Sequence, residues 1–386
     1  MINTTRLENT FIELISIDGE TGNEAKVADY IQRYLDNIGI SSVRDEAGET
    51  FGGNCGNVIA FLESNDNKNN NTILLSCHMD TIESTKGIKV ISENGRIKTD
   101  GSTILGADNR AGVSVILEAL HTVREKDLPY SNIQIVFSVA EERGMYGTKY
   151  INENDLKAVA GFVFDSSAKP GSIITNAPAS VVINIKVHGK AAHAAVNPTA
   201  GINAIKIAGN AIANIEVGKF KDGTLFNFGK INGGKATNIV PDYVEITAEC
   251  RGFDINKINE RVQMIENCFM DEAALLDGRI EFEVIEKYGL LNVDENSLSV
   301  QICEKAINAL GLKAEKIVYT GGSDANVYMA KGIDTVNLGM GFQNVHSTME
   351  YIELADLIID SEIALEIIQQ AYKFSQEKIS SISNAK

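Results

Sequence analysis

Residues 133–142 read IQIVFSVAEE, a nearly unbroken apolar run that ends on two adjacent glutamates. A strand with one wet face alternates apolar with polar residues. A strand covered on both faces does not, so this run predicts a strand buried inside a helix-covered sheet. Stretches at 58–62, 72–75, 161–164 and 335–338 have the same form. Apolar residues at helical spacing occupy 108–125, 298–310 and 354–374, and Thr21-Gly-Asn-Glu24 has the form of a capping box that opens a helix. Strands and helices interleaved in this way predict an α/β domain with a mostly parallel sheet.

A different pattern fills the middle of the chain. Val181, Ile183, Ile185 and Val187 fall on one face of an alternating segment, with Asn184, Lys186 and His188 on the other. Val244, Ile246, Ala248 and Cys250 repeat the alternation, as do Ile280, Phe282 and Val284. Helical spacing near 201–215 and 256–275 completes a β-α-β-β-α-β order, the ferredoxin-like α+β arrangement. The expected organisation is a larger domain in two parts, 1–175 and 290–386, with a small α+β domain inserted at 176–289. The polar run ESNDNKNNN at 63–71 reads as a hairpin loop.

Size and charge narrow the field. A chain of 386 residues suits two domains. Its formal net charge of −17 repels phosphate backbones, so no nucleic-acid partner is expected. No apolar stretch is long enough to span a bilayer, and residues 1–18 lack the basic and apolar regions of a secretory leader. Cys55, Cys77, Cys250, Cys268 and Cys303 are scattered without a CxxC spacing, which suits free thiols in a reducing cytoplasm.

In an open α/β sheet, ligands bind beyond the carboxyl ends of the strands. Here those ends carry His78 and Asp80, Glu141 and Glu142, and Asp165, while His346 follows the 335–338 run and Asp108 sits in the loop GADNRAG before a helix. Taken singly, Asp108 would be a helix cap and the glutamate pair a wet surface. Together, two imidazoles and three carboxylates without a thiolate suit zinc, cobalt or manganese. His78 and Asp80 are two apart in extended chain and face the same way, so Asp80 can orient the imidazole. Adjacent Glu141 and Glu142 diverge, so one can bind metal while the other takes a proton from water. The segment GKINGGK (229–235) approaches a phosphate loop, but Ala236 stands where a hydroxyl must hold magnesium and a strand pattern follows. No serine sits in a GxSxG elbow.

The ordered segments SCHMDT (76–81), GADNRAG (106–112), SVAEERGMYG (138–147), FVFDSS (162–167), HGKAAHAAVNPTAGINAI (188–205), GGKATNIVPD (233–242) and GMGFQNVHSTMEYI (339–352) resemble the M20 metallopeptidases, in particular their peptidase T-like branch. The resemblance implies a catalytic domain with an inserted lid and dimerisation domain, two divalent ions of zinc type (cobalt or manganese also suit), and a homodimer. It implies cleavage of short peptides, tripeptides among them, with release of the N-terminal residue. Asp108 would bridge the ions, with His78 and Asp165 completing one position and Glu142 and His346 the other. Glu141 falls where the family keeps its general base, and Asp80 where it keeps a supporting carboxylate. His193 matches the histidine that reaches the partner subunit's site, and Asn238 and Arg251 match substrate-contacting positions. Asn109 departs from the pattern, which commonly has a second Asp there. Rival readings are an M20-type amidase or carboxypeptidase, in which the Asp165 position tends to be Glu, and a metal-free binding protein.

Overall fold

The structure, a computed structural model, describes residues 1–66 and 71–384, with the side chains of 377–384 set aside. The chain forms two compact units, Met1–Asn176 with Leu291–Lys386, and Ala177–Leu290.

The first unit is built on a nine-stranded sheet. Its centre is four parallel strands in the order Asn132–Ser138, Thr72–His78, Ala160–Ser166 and Thr335–Gly339. Thr72–His78 and Thr335–Gly339 are buried at every position, which is why their sequences need not alternate. Antiparallel strands Ser42–Arg44 and Val58–Leu62 extend one side, and Ser172–Ala177 the other. Helix Ala107–Glu125 packs on the Thr72–His78 strand and against helices Thr4–Ile15 and Leu354–Asn384. Helices Leu298–Ala309 and Asp324–Ala330 pack against Ala160–Ser166 and Thr335–Gly339.

The 63–71 run is not a hairpin loop, because Asn132–Ser138 lies between the two strands it joins and pairs with both. Residues 67–70 themselves lie outside the described residues. Where the second unit leaves the sheet and returns to it, the chain is stitched to itself: Val293 N–H donates to Thr175 O at 2.9 Å and Asn176 Nδ2 to Asn292 Oδ1 at 2.7 Å. Among the described residues, no helix is long and apolar enough to cross a membrane.

The second unit is an antiparallel sheet in the order Gly218–Lys219, Leu225–Gly233, Tyr243–Gly252, Ala179–His188 and Arg279–Tyr288. Helices Ala204–Ala213 and Ile255–Leu275 pack with its strands, and Ile183, Ile185, Val187, Phe226, Val244, Ile246 and Phe269 form its core. This is the ferredoxin-like arrangement, and the alternating residues of its strands supply the buried face.

Candidate metal centre

The side chains beyond the parallel strands meet at the carboxyl edge of the sheet. His78, the last residue of its strand, is 1% exposed and places Nε2 3.1 Å from Asp108 Oδ1 and 3.3 Å from Asp165 Oδ1. His346 places Nε2 2.9 Å from Glu142 Oε1 and 3.5 Å from Asp108 Oδ2. The two oxygens of Asp108 are thus divided between two imidazoles, each of which faces a second carboxylate of its own.

The backbone leaves regular angles around these residues. Helix Ala107–Glu125 starts after Gly106, at φ 74, rather than at Asp108. Asp108 and Asn109 leave helical angles, joined by a cis peptide bond. A Cβ on Gly112 would lie 2.5 Å from Asn109 Oδ1 and 2.6 Å from Phe164 O, so only glycine lets the helix sit this close to the strand ends. Ala140 and His346 hold positive φ of 51 and 60, a conformation that costs an ordinary residue about 1–3 kcal/mol and that clusters where function requires it. Asn109 uses its whole amide: Nδ2 donates to Phe164 O and Asp165 Oδ1, both at 2.8 Å, and Oδ1 accepts from Gly112 N–H at 3.0 Å.

Asp80 sits behind His78 and is fully buried. His78 Nδ1 lies 3.1 Å from Asp80 O and 3.2 Å from Asp80 Oδ1; both are acceptors, so Nδ1 carries the hydrogen and Nε2 is left for the cluster. Asp80 also accepts from Glu141 N–H (3.1 Å), Glu142 N–H (3.4 Å) and Thr21 Oγ1 (2.8 Å). One carboxylate therefore fixes both the imidazole and the Glu141–Glu142 turn. Asn337 holds Asp165 by its backbone, accepting from its N–H at 3.0 Å and donating to its carbonyl at 3.2 Å.

Electrostatics follow from this crowding. Burial alone would lower His78, but Asp165, Asp108 and Asp80 outweigh it and hold the imidazole well above its usual value. Burial would raise Asp108; hydrogen bonds from His346 and His78 bring it down to about 2. Burial, with the charges of Asp108 and Asp324, pushes Asp165 up to about 7 against the pull of His78. Glu142 is raised by burial despite its bond from His346. Glu141, 9% exposed, is raised well above the ordinary range, first by burial and then by Asp165, Asp324 and Glu142. Hydrogen bonds to Asp108 and Glu142 carry His346 up to about 10.

Three contributors escaped the sequence reading. Thr21-Gly-Asn-Glu24 is not a capping box: the side chain of Glu24, which precedes helix Ala25–Asn37, makes no cap bond to it, because Thr21 turns to Asp80 and Glu24 accepts from Gly22 N–H and Ala140 N–H at 2.8 and 3.1 Å. Asp324 is buried and accepts from Ser138 Oγ and from Thr148 Oγ1. Glu350 bonds the backbone before and at Asp108. Thr21, Glu24, Asp324 and Glu350 each act on a segment distant in sequence, which no local pattern announces.

Of the residues singled out in the inserted unit, His193 and Asn238 lie close together and Arg251 lies apart from them. His193 is exposed, with Nδ1 accepting from Ala195 N–H and Val196 N–H at 3.2 Å, and bridges to Ile239 beside the exposed Asn238. Arg251 is at the far end of the Tyr243–Gly252 strand, with Nη2 donating to Glu249 Oε2 at 3.0 Å. Lys235 of the rejected phosphate-loop segment pairs with Asp242.

Ligand atoms of His78, Asp108 and Glu142 lie within 4.8 Å of one another, and the nitrogen and oxygen donor set fits divalent cations of the zinc type. Nε2 lone pairs aimed at carboxylates are favourable only when a proton or a cation stands between them. His78 Nε2 and His346 Nε2 each face an oxygen of Asp108 in this way.

A family model described as the M20 peptidase dimerisation domain matches residues 179–275, and one described as peptidase family M28 matches 57–208. The uncharacterized protein YqjE of Bacillus subtilis is 36% identical across 97% of this chain and 100% of its own. A solved tripeptidase from Staphylococcus aureus superposes with a TM-score of 0.90 at 36% identity, covering 97% of this chain and 100% of that one. The solved aminopeptidase PepT of Bacillus cereus gives 0.87 at 34% identity, covering 96% and 99%. The chain belongs to the M20 metallopeptidase family, in its peptidase T-like branch, and is a hydrolase of peptide bonds.

Proposed function

We propose that the protein is a two-metal aminopeptidase that removes the N-terminal residue from short peptides, tripeptides in particular. The observation that carries this is the division of the Asp108 carboxylate between His78 with Asp165 and His346 with Glu142. Asp108 would bridge two ions, most suitably zinc, with cobalt or manganese as alternatives. When bound, such a pair lowers the pKa of a shared water and polarises the scissile carbonyl.

The chain's own groups do the rest. Glu141 is bonded to neither imidazole among the described contacts, and burial raises its carboxyl well above the ordinary range. It takes the proton of the attacking water and delivers it to the leaving amine. Asp80 keeps His78 oriented and pins the backbone of Glu141. In the inserted domain, 176–289, His193 would stabilise the oxyanion from the partner subunit, with Asn238 and Arg251 contacting substrate; the match to a dimerisation domain supports the homodimer. The relatives named tripeptidase and aminopeptidase support a free N-terminus as the recognised end, and Asp rather than Glu at position 165 agrees with them. The five free thiols suit the cytoplasm.

The test is Glu141→Ala with metal content measured in the same sample, assayed on di-, tri- and N-acetylated peptides with products resolved by mass. The expected result is retained metal and hydrolysis reduced about 10²–10⁴-fold. Retained hydrolysis removes Glu141 from its role, and cleavage of blocked but not free peptides moves the assignment to an amidase.

A further inference from the structure

Glu350 lies four residues beyond His346, is 2% exposed, and accepts three backbone hydrogen bonds from a segment distant in sequence. Oε2 takes Leu105 N–H at 2.9 Å and Gly106 N–H at 2.7 Å, and Oε1 takes Asp108 N–H at 2.9 Å. A carboxylate used wholly on the backbone of one loop fixes that loop's position rather than acting on a ligand.

The segment that carries Glu350 is itself braced. Gln343 N–H donates to Tyr351 O at 2.9 Å and Tyr351 N–H to Gln343 O at 3.1 Å, closing the loop at its base. Inside it, Ser347 Oγ donates to Asn344 O at 2.7 Å, Met349 N–H to Ser347 Oγ at 3.2 Å, and Glu350 N–H to Ser347 O at 3.1 Å. His346 projects from this braced loop. The approaching arm is tied to the Asp165 segment, with Met340 N–H donating to Ser166 O at 2.7 Å and Gly341 N–H to Ala168 O at 2.8 Å. The returning arm is tied, through Glu350, to Asp108.

We propose that Glu350 is a positioning residue that sets the distance between His346 and Asp108, and thereby the affinity of the metal position that these two share with Glu142. This rests on the two-metal reading above. Ligand distances at such a metal are about 2.0–2.2 Å with little slack, so a shift of the His346 loop against Asp108 is felt directly in binding. The position formed by His78 and Asp165 depends on neither end of the Glu350 tie except through Asp108, so the two positions respond unequally.

The experiment titrates chelator-treated protein with Zn²⁺ alone against a competing chromophoric chelator, with His346→Ala as the reference that assigns the second transition. Wild type is expected to show two transitions. Glu350→Gln keeps one acceptor oxygen but turns an NH₂ group towards backbone N–H donors. It is expected to weaken the second transition about 10–100-fold and leave the first within about threefold. Two unchanged transitions, or two weakened equally, overturn the proposal. A wild-type protein with fewer than two transitions overturns the two-metal reading and this proposal with it. If Glu350→Gln does not fold, Glu350→Asp, one methylene shorter with its charge intact, is judged by the same split. Equal weakening or unfolding there assigns Glu350 to stability alone and overturns the proposal.

Discussion

Replacing Asp80 by Asn tests whether this buried carboxylate tunes the centre by its charge. Asp80 Oδ1 faces the His78 imidazole at 3.2 Å and the Glu141 N–H at 3.1 Å, while Oδ2 faces the Thr21 hydroxyl and the Glu142 N–H. An asparagine would keep its oxygen on the Oδ1 side, where both partners are donors. Its NH₂ would then meet Thr21, whose hydroxyl can accept it and donate instead to Thr81 O, 3.3 Å away, while the long bond from Glu142 N–H would be lost. The fold is kept and the charge is lost. Hydrogen bonds to a charged acceptor contribute about 1.5–3 kcal/mol and neutral ones about 0.5–1.5. The bond from the imidazole, made neutral, therefore forfeits about 1–1.5 kcal/mol of its support. At about 1.4 kcal/mol per decade, the metal position at His78 should weaken about tenfold. Competitive metal titration of chelator-treated Asp80→Asn measures this. Affinities within about threefold of wild type, with both positions filling, would refute the argument that the charge of Asp80 reaches the metal through His78.

Two further outcomes follow from the same cluster. In metal-free protein, burial raises Glu24 and Glu350 from 4.5 and Asp165 from 3.8, each to about 7, and His346 is raised from 6.5 to about 10 by Asp108 and Glu142. Each group holds its proton more tightly folded than unfolded. Its contribution is therefore complete below the unfolded pKa and is lost as pH rises through the folded one, so thermal melts of chelated protein should show Tm falling between about pH 5 and about pH 9. A flat or rising Tm would contradict this. Asn109→Asp removes the donors to Phe164 O and Asp165 Oδ1 and adds a like charge, so the metal-free protein should lose on the order of 2 kcal/mol in denaturant melts. An unchanged midpoint would show those bonds to be unimportant.

Burial decided what could be read from sequence. The parallel strands were legible because strands covered on both faces carry unbroken apolar runs, and the meeting of His78, Asp108, Glu142, Asp165 and His346 was foreseeable because strand ends of such a sheet converge. What could not be read is which polar side chains serve their own segment and which serve another. Thr21 and Glu24 have the spacing of a local cap, yet a buried acceptor at Asp80 and a strained N–H at Ala140 compete for them and win. Glu350, in a run of ordinary surface composition, has its partners more than two hundred positions earlier. The 63–71 connection misled for a related reason: nothing in it announces that a third strand will slot between its neighbours.

The stitch between Thr175 and Val293, and between Asn176 and Asn292, has an architectural consequence. A guest segment whose two ends are already fastened together leaves only a small gap when it is excised, one that a tight turn can close. The host sheet would not need to be rethreaded. Lineages could therefore trade, enlarge or discard the guest as a cassette while the ligand loops of the host evolve on their own schedule.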